Sequence, residues 1–418
     1  MKKSKLIFVA GLGTLFETFD FYLFSLFAIA LNYSFFGSVD KHSILWIFLI
    51  FAVGYIARII GALVFGYWGD KLGRLYSFKK TIAIMAISSI IIGFLPTYES
   101  IGILAVVFLI VLRFMQGISY GGEYTGAVII ISEKYKKHLP ILIMCITLMS
   151  TVGTFLAQFT YIVLEYFLDH QAMLDYGWRV AYIIGGILIL HSYQARKKIA
   201  ESEEFKLNKE NTVYRNTISL MISNHKELLI WGALSMIGVQ SFWGSFMIYL
   251  PNYISLEYAD QTIHLHIYYI MIIGLVVGKL MGAFLADKIN IRAVYSVASI
   301  FCILLIIPFY ISMTTKLCAG LENFYILLFL IAIINGTATV LYILQLAQRF
   351  PVAYRYTLVS SSFALSAFLF IGLPPFLFSY FTRESSMFYP TLVFGVGYII
   401  QLIAVQVLYY KTEKFISD

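Results

Sequence analysis

Residues 66–74 read Gly66-Tyr67-Trp68-Gly69-Asp70-Lys71-Leu72-Gly73-Arg74. The stretch leaves one apolar run, 44–68, and leads toward another, 81–98. Each run is close to the roughly 20 apolar residues that cross a bilayer as a helix. The charges between them therefore mark a turn at a membrane surface, with Gly69 and Gly73 allowing the chain to reverse tightly. A related turn, Ala286-Asp287-Lys288 with Arg292 close behind, follows the run 262–286. Asp70 and Asp287 are 217 residues apart in a chain of 418. A motif repeated at half the chain length is the mark of a bundle built from two parallel copies.

Composition agrees. Hydrophobic residues make up 60% of the chain and charged residues 12%, against roughly 45–50% and about 25% in soluble proteins. Mean hydropathy is +0.84. So few charges cannot cover a soluble surface, which excludes a secreted disulfide scaffold and a disordered chain as well. Working outward from the turn gives twelve apolar runs: 6–31, 44–68, 81–98, 101–130, 139–164, 179–195, 228–250, 262–286, 293–315, 322–348, 357–381 and 386–410. None alternates as a barrel strand would. The expected fold is all-α and integral to the membrane, with twelve transmembrane helices in two six-helix halves, 1–195 and 228–418. A polar segment of mixed charge, 196–227, links them in the cytoplasm.

The net charge of +8 is explained by topology. If both termini are cytoplasmic, the loops on that side hold 23 of the 30 Lys and Arg. The outer loops hold Lys41, Arg179, Lys316 and Arg383, and only Arg58, Arg113 and Lys279 fall inside spans. This is the positive-inside pattern, so no nucleic-acid partner is expected. Met1-Lys2-Lys3-Ser4-Lys5 runs into the first span with no small-residue cleavage site, which is read as a span rather than a removed signal. Cys145, Cys302 and Cys318 have no metal or redox spacing and read as buried small residues. His264 and His266 form no metal cluster with other ligands. There is no Walker sequence for ATP and no HExxH or GxSxG for a hydrolase, so no enzyme is expected.

Ionisable groups inside a bilayer are costly and are functional candidates by default. Glu17 and Asp20, three residues apart, share a face of the first helix. Two such carboxylates beside a cavity can hold a proton whose affinity depends on hydration and nearby cations. Arg113, Gln116, Tyr120 and Glu123 form one polar stripe on the fourth helix, with Glu123 a further proton carrier or a partner for Arg113. Arg58 could bind a solute carboxylate or neutralise Glu17 or Asp20. Lys279 could meet an anionic solute group or snorkel toward the cytoplasm, since Asp287 is two turns away. Arg113, Gln116, Tyr22 and Trp243 complete the candidate solute-binding set, and the aromatic side chains suit a quaternary ammonium. Gln158, Gln240, Asn335 and Gln345 are further buried polar candidates. Glycines at spacing four, Gly117/Gly121, Gly122/Gly126 and Gly274/Gly278/Gly282, favour close helix packing within one chain.

Several of these stretches resemble a known family. Residues 66–74 look like the loop signature between helices two and three of the major facilitator superfamily, and Arg113-Phe114-Met115-Gln116-Gly117 like its helix-four motif. The continuation Gln116-Gly117-Ile118-Ser119-Tyr120-Gly121-Gly122-Glu123-Tyr124-Thr125-Gly126-Ala127 resembles the metabolite:proton symporter subfamily, which includes proline/betaine, α-ketoglutarate, citrate and shikimate carriers. Phe16-Glu17-Thr18-Phe19-Asp20-Phe21-Tyr22 is similar to its first-helix segment, although Thr18 and Phe19 replace the usual Trp and Tyr. Gly177-Trp178-Arg179, Glu201-Ser202-Glu203-Glu204-Phe205, and Arg355-Tyr356-Thr357 with Pro374 also match. No coiled-coil extension after residue 418 is expected, unlike in the osmosensing proline/betaine carriers, so osmotic activation through such a coil is not expected either.

The resemblance implies that Gly69, Asp70, Gly73 and Arg74 form a gating latch between the halves. It implies a monomeric carrier in a bacterial inner (cytoplasmic) membrane. Proton-coupled uptake would move a small organic solute, with proline/betaine-like compounds preferred. Its partners are then solute, protons and lipid. No cofactor is expected, the proton-motive force supplying the energy. The alternatives are a di- or tricarboxylate carrier, an efflux carrier, and a non-transporting membrane sensor.

Overall fold

The computed structural model describes residues 3–37, 43–196, 225–257, 262–314, 321–381 and 387–417, and no strand occurs among them. The first half contains α1 (Lys3–Leu26, continued by Ala28–Phe36), α2 (Ile44–Lys71), α3 (Arg74–Gly93), α4 (Ile103–Tyr120 and Glu123–Lys134), α5 (Leu139–Phe167) and α6 (Trp178–Arg196). The second contains α7 (Lys226–Leu234, Ile237–Phe242 and Leu250–Glu257), α8 (Thr262–Lys288), α9 (Ile291–Thr314), α10 (Leu321–Arg349), α11 (Arg355–Ala367 and Leu373–Phe381) and α12 (Phe388–Ser417). Eleven of these are long and apolar enough to cross a membrane by themselves. α7 bends by 45° near Ser235 and completes the twelfth as a bent pair. Hydrocarbon offers no partner to a backbone amide, so each crossing segment satisfies its own backbone as a helix. Large apolar side chains such as Phe108, Ile187, Leu304 and Ile307 remain exposed on the outside of the bundle, where lipid tails cover them.

The two halves pair their helices in the same way. α1 packs on α5, α2 on α4 and α3 on α6; α7 packs on α11, α8 on α10 and α9 on α12. The repeat reaches individual residues. A Cβ on Gly61 of α2 would lie 1.9 Å from the Ile118 carbonyl oxygen of α4, and one on Gly278 of α8 would lie 1.9 Å from the Ile333 carbonyl oxygen of α10. Gly61 and Gly278 are 217 residues apart, as are Asp70 and Asp287. Backbone-on-backbone packing of this kind is the use of small residues between membrane helices.

Three expectations change. The turn at 69–80 is much shorter than the apolar pattern suggests: α2 runs to Lys71 and α3 starts at Arg74. Helices continue past the hydrocarbon, where charges end the apolar signal but not the helix. The fourth span breaks at Gly121–Gly122. Arg179, expected in an outer loop, lies in the first turn of α6 and donates to the Leu95 carbonyl at 2.6 Å. Most of the 196–227 linker, together with Lys41, Cys318, Lys316, Arg383 and the Glu201–Phe205 match, lies outside the described residues. An even number of crossings leaves both chain ends at one face of the bundle, called the terminal face below.

Candidate functional site

Between the halves lies a partly open cavity with about 710 Å³ of space not filled by protein atoms, open solvent included. Its walls come from α1, α2, α4 and α5 on one side and α7, α8, α10 and α11 on the other. Four of the expected solute-site residues line it: Tyr22, Arg58, Trp243 and Lys279. So do Gln240 and several residues the sequence did not single out, among them Tyr55, Tyr124, Thr147, Tyr342 and Phe363. Thr147 and Thr151, one turn apart on α5, could have been found as a polar step on an otherwise apolar helix. The tyrosines were hidden among 31 in the chain. Two of the second-half helices that line the cavity, α7 and α11, contain a wider π-type turn, Trp243–Tyr249 and Phe368–Gly372. Such turns recur at functional sites.

Both lining cations are almost wholly buried. The Arg58 guanidinium carbon lies 3.8 Å from the Tyr120 ring centre and 4.4 Å from that of Phe363. Lys279 does not snorkel. Its Nζ donates to the Thr147 carbonyl and to Thr151 Oγ1, each at 2.6 Å, crossing from α8 to α5. With both partners inside the bundle, the ammonium is held there and not at the helix end.

Arg113 and Gln116 are not in the cavity wall. Gln116 Oε1 accepts from Arg113 at 2.9 Å, and Gln116 Nε2 donates to Asp20 Oδ2 at 2.6 Å and to Ser89 Oγ at 2.9 Å. Gln116 thus bridges cation to carboxylate. The Arg113 guanidinium also rests on Phe21 and Phe24, 4.0 and 4.2 Å from their ring centres. Glu17 is buried on the same helix as Asp20. The expected continuous stripe on α4 is divided: Arg113 and Gln116 face α1, Tyr120 faces the cavity, and Glu123 Oε2 accepts from Thr81 Oγ1 of α3 at 3.0 Å. The break at Gly121–Gly122 changes the helix phase between Tyr120 and Glu123, which regular periodicity could not anticipate.

At the terminal face the residues of the 66–74 stretch join the halves. Asp70, fully buried, accepts from the backbone N–H of Thr357 at 3.0 Å, from Thr357 Oγ1 at 2.6 Å and from the Tyr356 N–H at 3.3 Å. It therefore caps the start of α11, where free amides and the helix dipole favour a carboxylate. Arg74 pairs with Asp70 at 3.1 Å and with Glu133 at 3.0 Å, and donates across to the Val352 carbonyl at 3.1 Å. Arg355 from the second half approaches Glu133 at 3.9 Å. A Cβ on Gly69 would lie 2.0 Å from the Tyr356 ring, and Gly73 has φ 124°, a conformation suited to glycine. On the repeat-related side, Asp287 pairs with the exposed His138 at 3.7 Å. Glu133 and Val352 are contributors the sequence did not suggest. On the opposite side of the cavity, Tyr22 Oη donates to the Met247 carbonyl at 2.7 Å and Asn252 to Ser25 Oγ at 3.2 Å.

A cavity between two repeated six-helix halves, with joins between them on both sides of it, defines a secondary transporter that admits a small molecule to each side in turn. The comparisons agree. Residues 6–415 match the family model for sugar (and other) transporters, and the chain belongs to that major facilitator family. A Staphylococcus haemolyticus (strain JCSC1435) protein, provisionally named a proline/betaine transporter, is 29% identical over 419 residues, covering 98% of this chain and 88% of that one. The glycine betaine/proline/ectoine/pipecolic acid transporter OusA of Dickeya dadantii (strain 3937) is 29% identical over 400 residues, covering 92% and 79%. The proton:xylose symporter XylE bound to 6-bromo-6-deoxy-D-glucose superposes with a TM-score of 0.78 at 17% identity, covering 97% of this chain and 95% of that one. That likeness concerns the fold. The protein is a non-enzymatic, multi-pass membrane transporter of the major facilitator family.

Proposed function

We propose that the protein takes up a small carboxylate-bearing solute of the proline/betaine class by symport with protons. In this reading it works as a monomer in a bacterial cytoplasmic membrane, with the terminal face in the cytoplasm. The observation that carries the reading is the cavity between the halves with one buried cation from each, Arg58 and Lys279. A carboxylate entering it finds charge-assisted donors on both sides. The aromatic walls, including Trp243 and Tyr22, suit the apolar and cationic remainder of a betaine. The names of the relatives support the solute class, and the placement of Lys and Arg supports the orientation.

Coupling is assigned to the first-helix carboxylates. Asp20 is joined through Gln116 to Arg113, so a proton gained or lost there alters the charge that the amide bridge balances. Glu17 and Glu123 are the other proton-carrying candidates. With protons and solute bound from outside, the Asp70–Arg74–Glu133 latch opens, the halves rock about the cavity, and proton loss to the cytoplasm favours release. A second reading, carriage of a dicarboxylate such as α-ketoglutarate, is favoured by one feature: among the described residues the lining includes two cations and no Asp or Glu.

The test is uptake into proteoliposomes under an inward proton gradient, using labelled proline, glycine betaine, α-ketoglutarate and citrate. Accumulation of proline or betaine that an uncoupler abolishes is expected. Accumulation of α-ketoglutarate or citrate alone selects the second reading. No accumulation of any of the four refutes symport of these solutes.

A further inference from the structure

Each half sends one cation across the cavity to the other. Arg58 on α2 lies over Phe363 of α11, and Lys279 on α8 donates to Thr147 and Thr151 of α5. α2 and α8 correspond in the repeat, as do α5 and α11. The same cross-half contact is therefore made twice, once onto an aromatic face and once onto oxygens. Phe363 is itself held between Tyr124 of the first half, ring centres 5.1 Å apart, and Tyr342 of the second, 6.1 Å. Tyr342 and Tyr124 are also joined through their hydroxyls at 3.5 Å. These rings lie in the cavity wall two turns along α11 from the Asp70–Thr357 contact.

We propose that the two docked cations form a solute-responsive clamp between the halves, released when a carboxylate in the cavity draws Arg58 from Phe363 and Lys279 from Thr147 and Thr151. The inference rests on the reading of the cavity as the solute site. Phe363 and Thr151 are positioning residues: they touch the cations, and the cations touch the solute. The chemistry orders the partners correctly. A cation buried in a membrane protein needs a partner at all times. A ring face or a neutral oxygen is sufficient without solute, but a carboxylate makes the stronger, charge-assisted bond. A ligand shifts a conformational equilibrium only by its differential affinity for the two states. Cations that are engaged across the interface in one state and available in the other supply that difference.

Ser360 reports on the clamp. It lies on α11 one turn nearer the terminal face than Phe363, is fully buried, and meets Thr125 of the other half at 2.6 Å between hydroxyls. With the native cysteines replaced and Ser360→Cys introduced, the labelling rate by a water-soluble maleimide in inside-out vesicles measures separation at that face. Without solute, Phe363→Leu is expected to raise the rate roughly fivefold, the factor that corresponds to loss of one cation–π contact. Phe363→Tyr, which keeps the ring, leaves it unchanged, and Thr151→Val raises it on the Lys279 side. Of proline, glycine betaine and α-ketoglutarate, the one transported accelerates labelling of the otherwise unaltered protein, and less so in Phe363→Leu. Unchanged rates in both Phe363→Leu and Thr151→Val overturn the clamp. If both variants respond but none of the three solutes does, release by these carboxylates is overturned, while the uptake panel decides the transport reading separately.

Discussion

Replacing Asp70 by asparagine keeps the side-chain shape and removes the charge that caps α11. In the native arrangement Asp70 receives three hydrogen bonds from the second half, from Tyr356 N, Thr357 N and Thr357 Oγ1 at 3.3, 3.0 and 2.6 Å. A hydrogen bond to a charged group contributes about 1.5–3 kcal/mol. Asn retains one carbonyl acceptor, but its amide group must face either the α11 amides or Arg74, all of which are donors. A loss of about 3 kcal/mol from the closed terminal face follows, equivalent to a roughly hundredfold shift in the closed-to-open ratio. Arg74 keeps its bond to Glu133 at 3.0 Å, so the first half stays intact. Electron–electron distance measurements can read this directly. Spin labels at Lys71 and Lys288, exposed residues of opposite halves, should show one short distance in the unaltered protein and a new longer population in Asp70→Asn. Thr357→Val, which removes only one of the bonds, should give a smaller shift of the same sign. If Asp70→Asn leaves the distance distribution unchanged, the latch reasoning is refuted.

Two further outcomes are expected. Glu17→Gln and Asp20→Asn should each spare solute counterflow while reducing proton-driven accumulation by about an order of magnitude, the lower end of typical proton-transfer contributions; full accumulation in both variants would remove the first-helix carboxylates from coupling. Gly117→Ala places a Cβ 2.0 Å from the Gly54 carbonyl oxygen, and forced separation of α2 and α4 should cost about 1–3 kcal/mol, seen as a lower Tm in detergent; an unchanged Tm would mean that the α2–α4 crossing adjusts freely.

How much of the site was legible depends on which kind of signal each residue carries. Asp70 and Arg74 stood out because their neighbours are glycines at a membrane edge, a pattern that only a tight charged turn explains. Arg58 and Lys279 stood out as charges in hydrocarbon. Phe363 and Thr151 did not, because a Phe or Thr in an apolar run is ordinary until a cation is placed against it. Arg113 and Gln116 were legible as polar residues and misplaced as cavity lining. Their spacing put them on one stripe with Tyr120 and Glu123, but the neighbour each side chain meets is set by packing: Gln116 meets Asp20 of α1 and Ser89 of α3, and Tyr120 the cavity.

The sequence alone determined the membrane class, the count of spans and the repeat, and its charge pattern is the basis of the proposed orientation. Each follows from local quantities, the length of an apolar run and the placement of charge at its ends, which a bilayer reads one segment at a time. Only the tertiary structure decided which buried charge meets which partner: Gln116 between Arg113 and Asp20, Arg58 on Phe363, Lys279 on Thr147 and Thr151. Apart from Arg113–Gln116, those contacts join residues far apart in the chain. Periodicity carries no record of them.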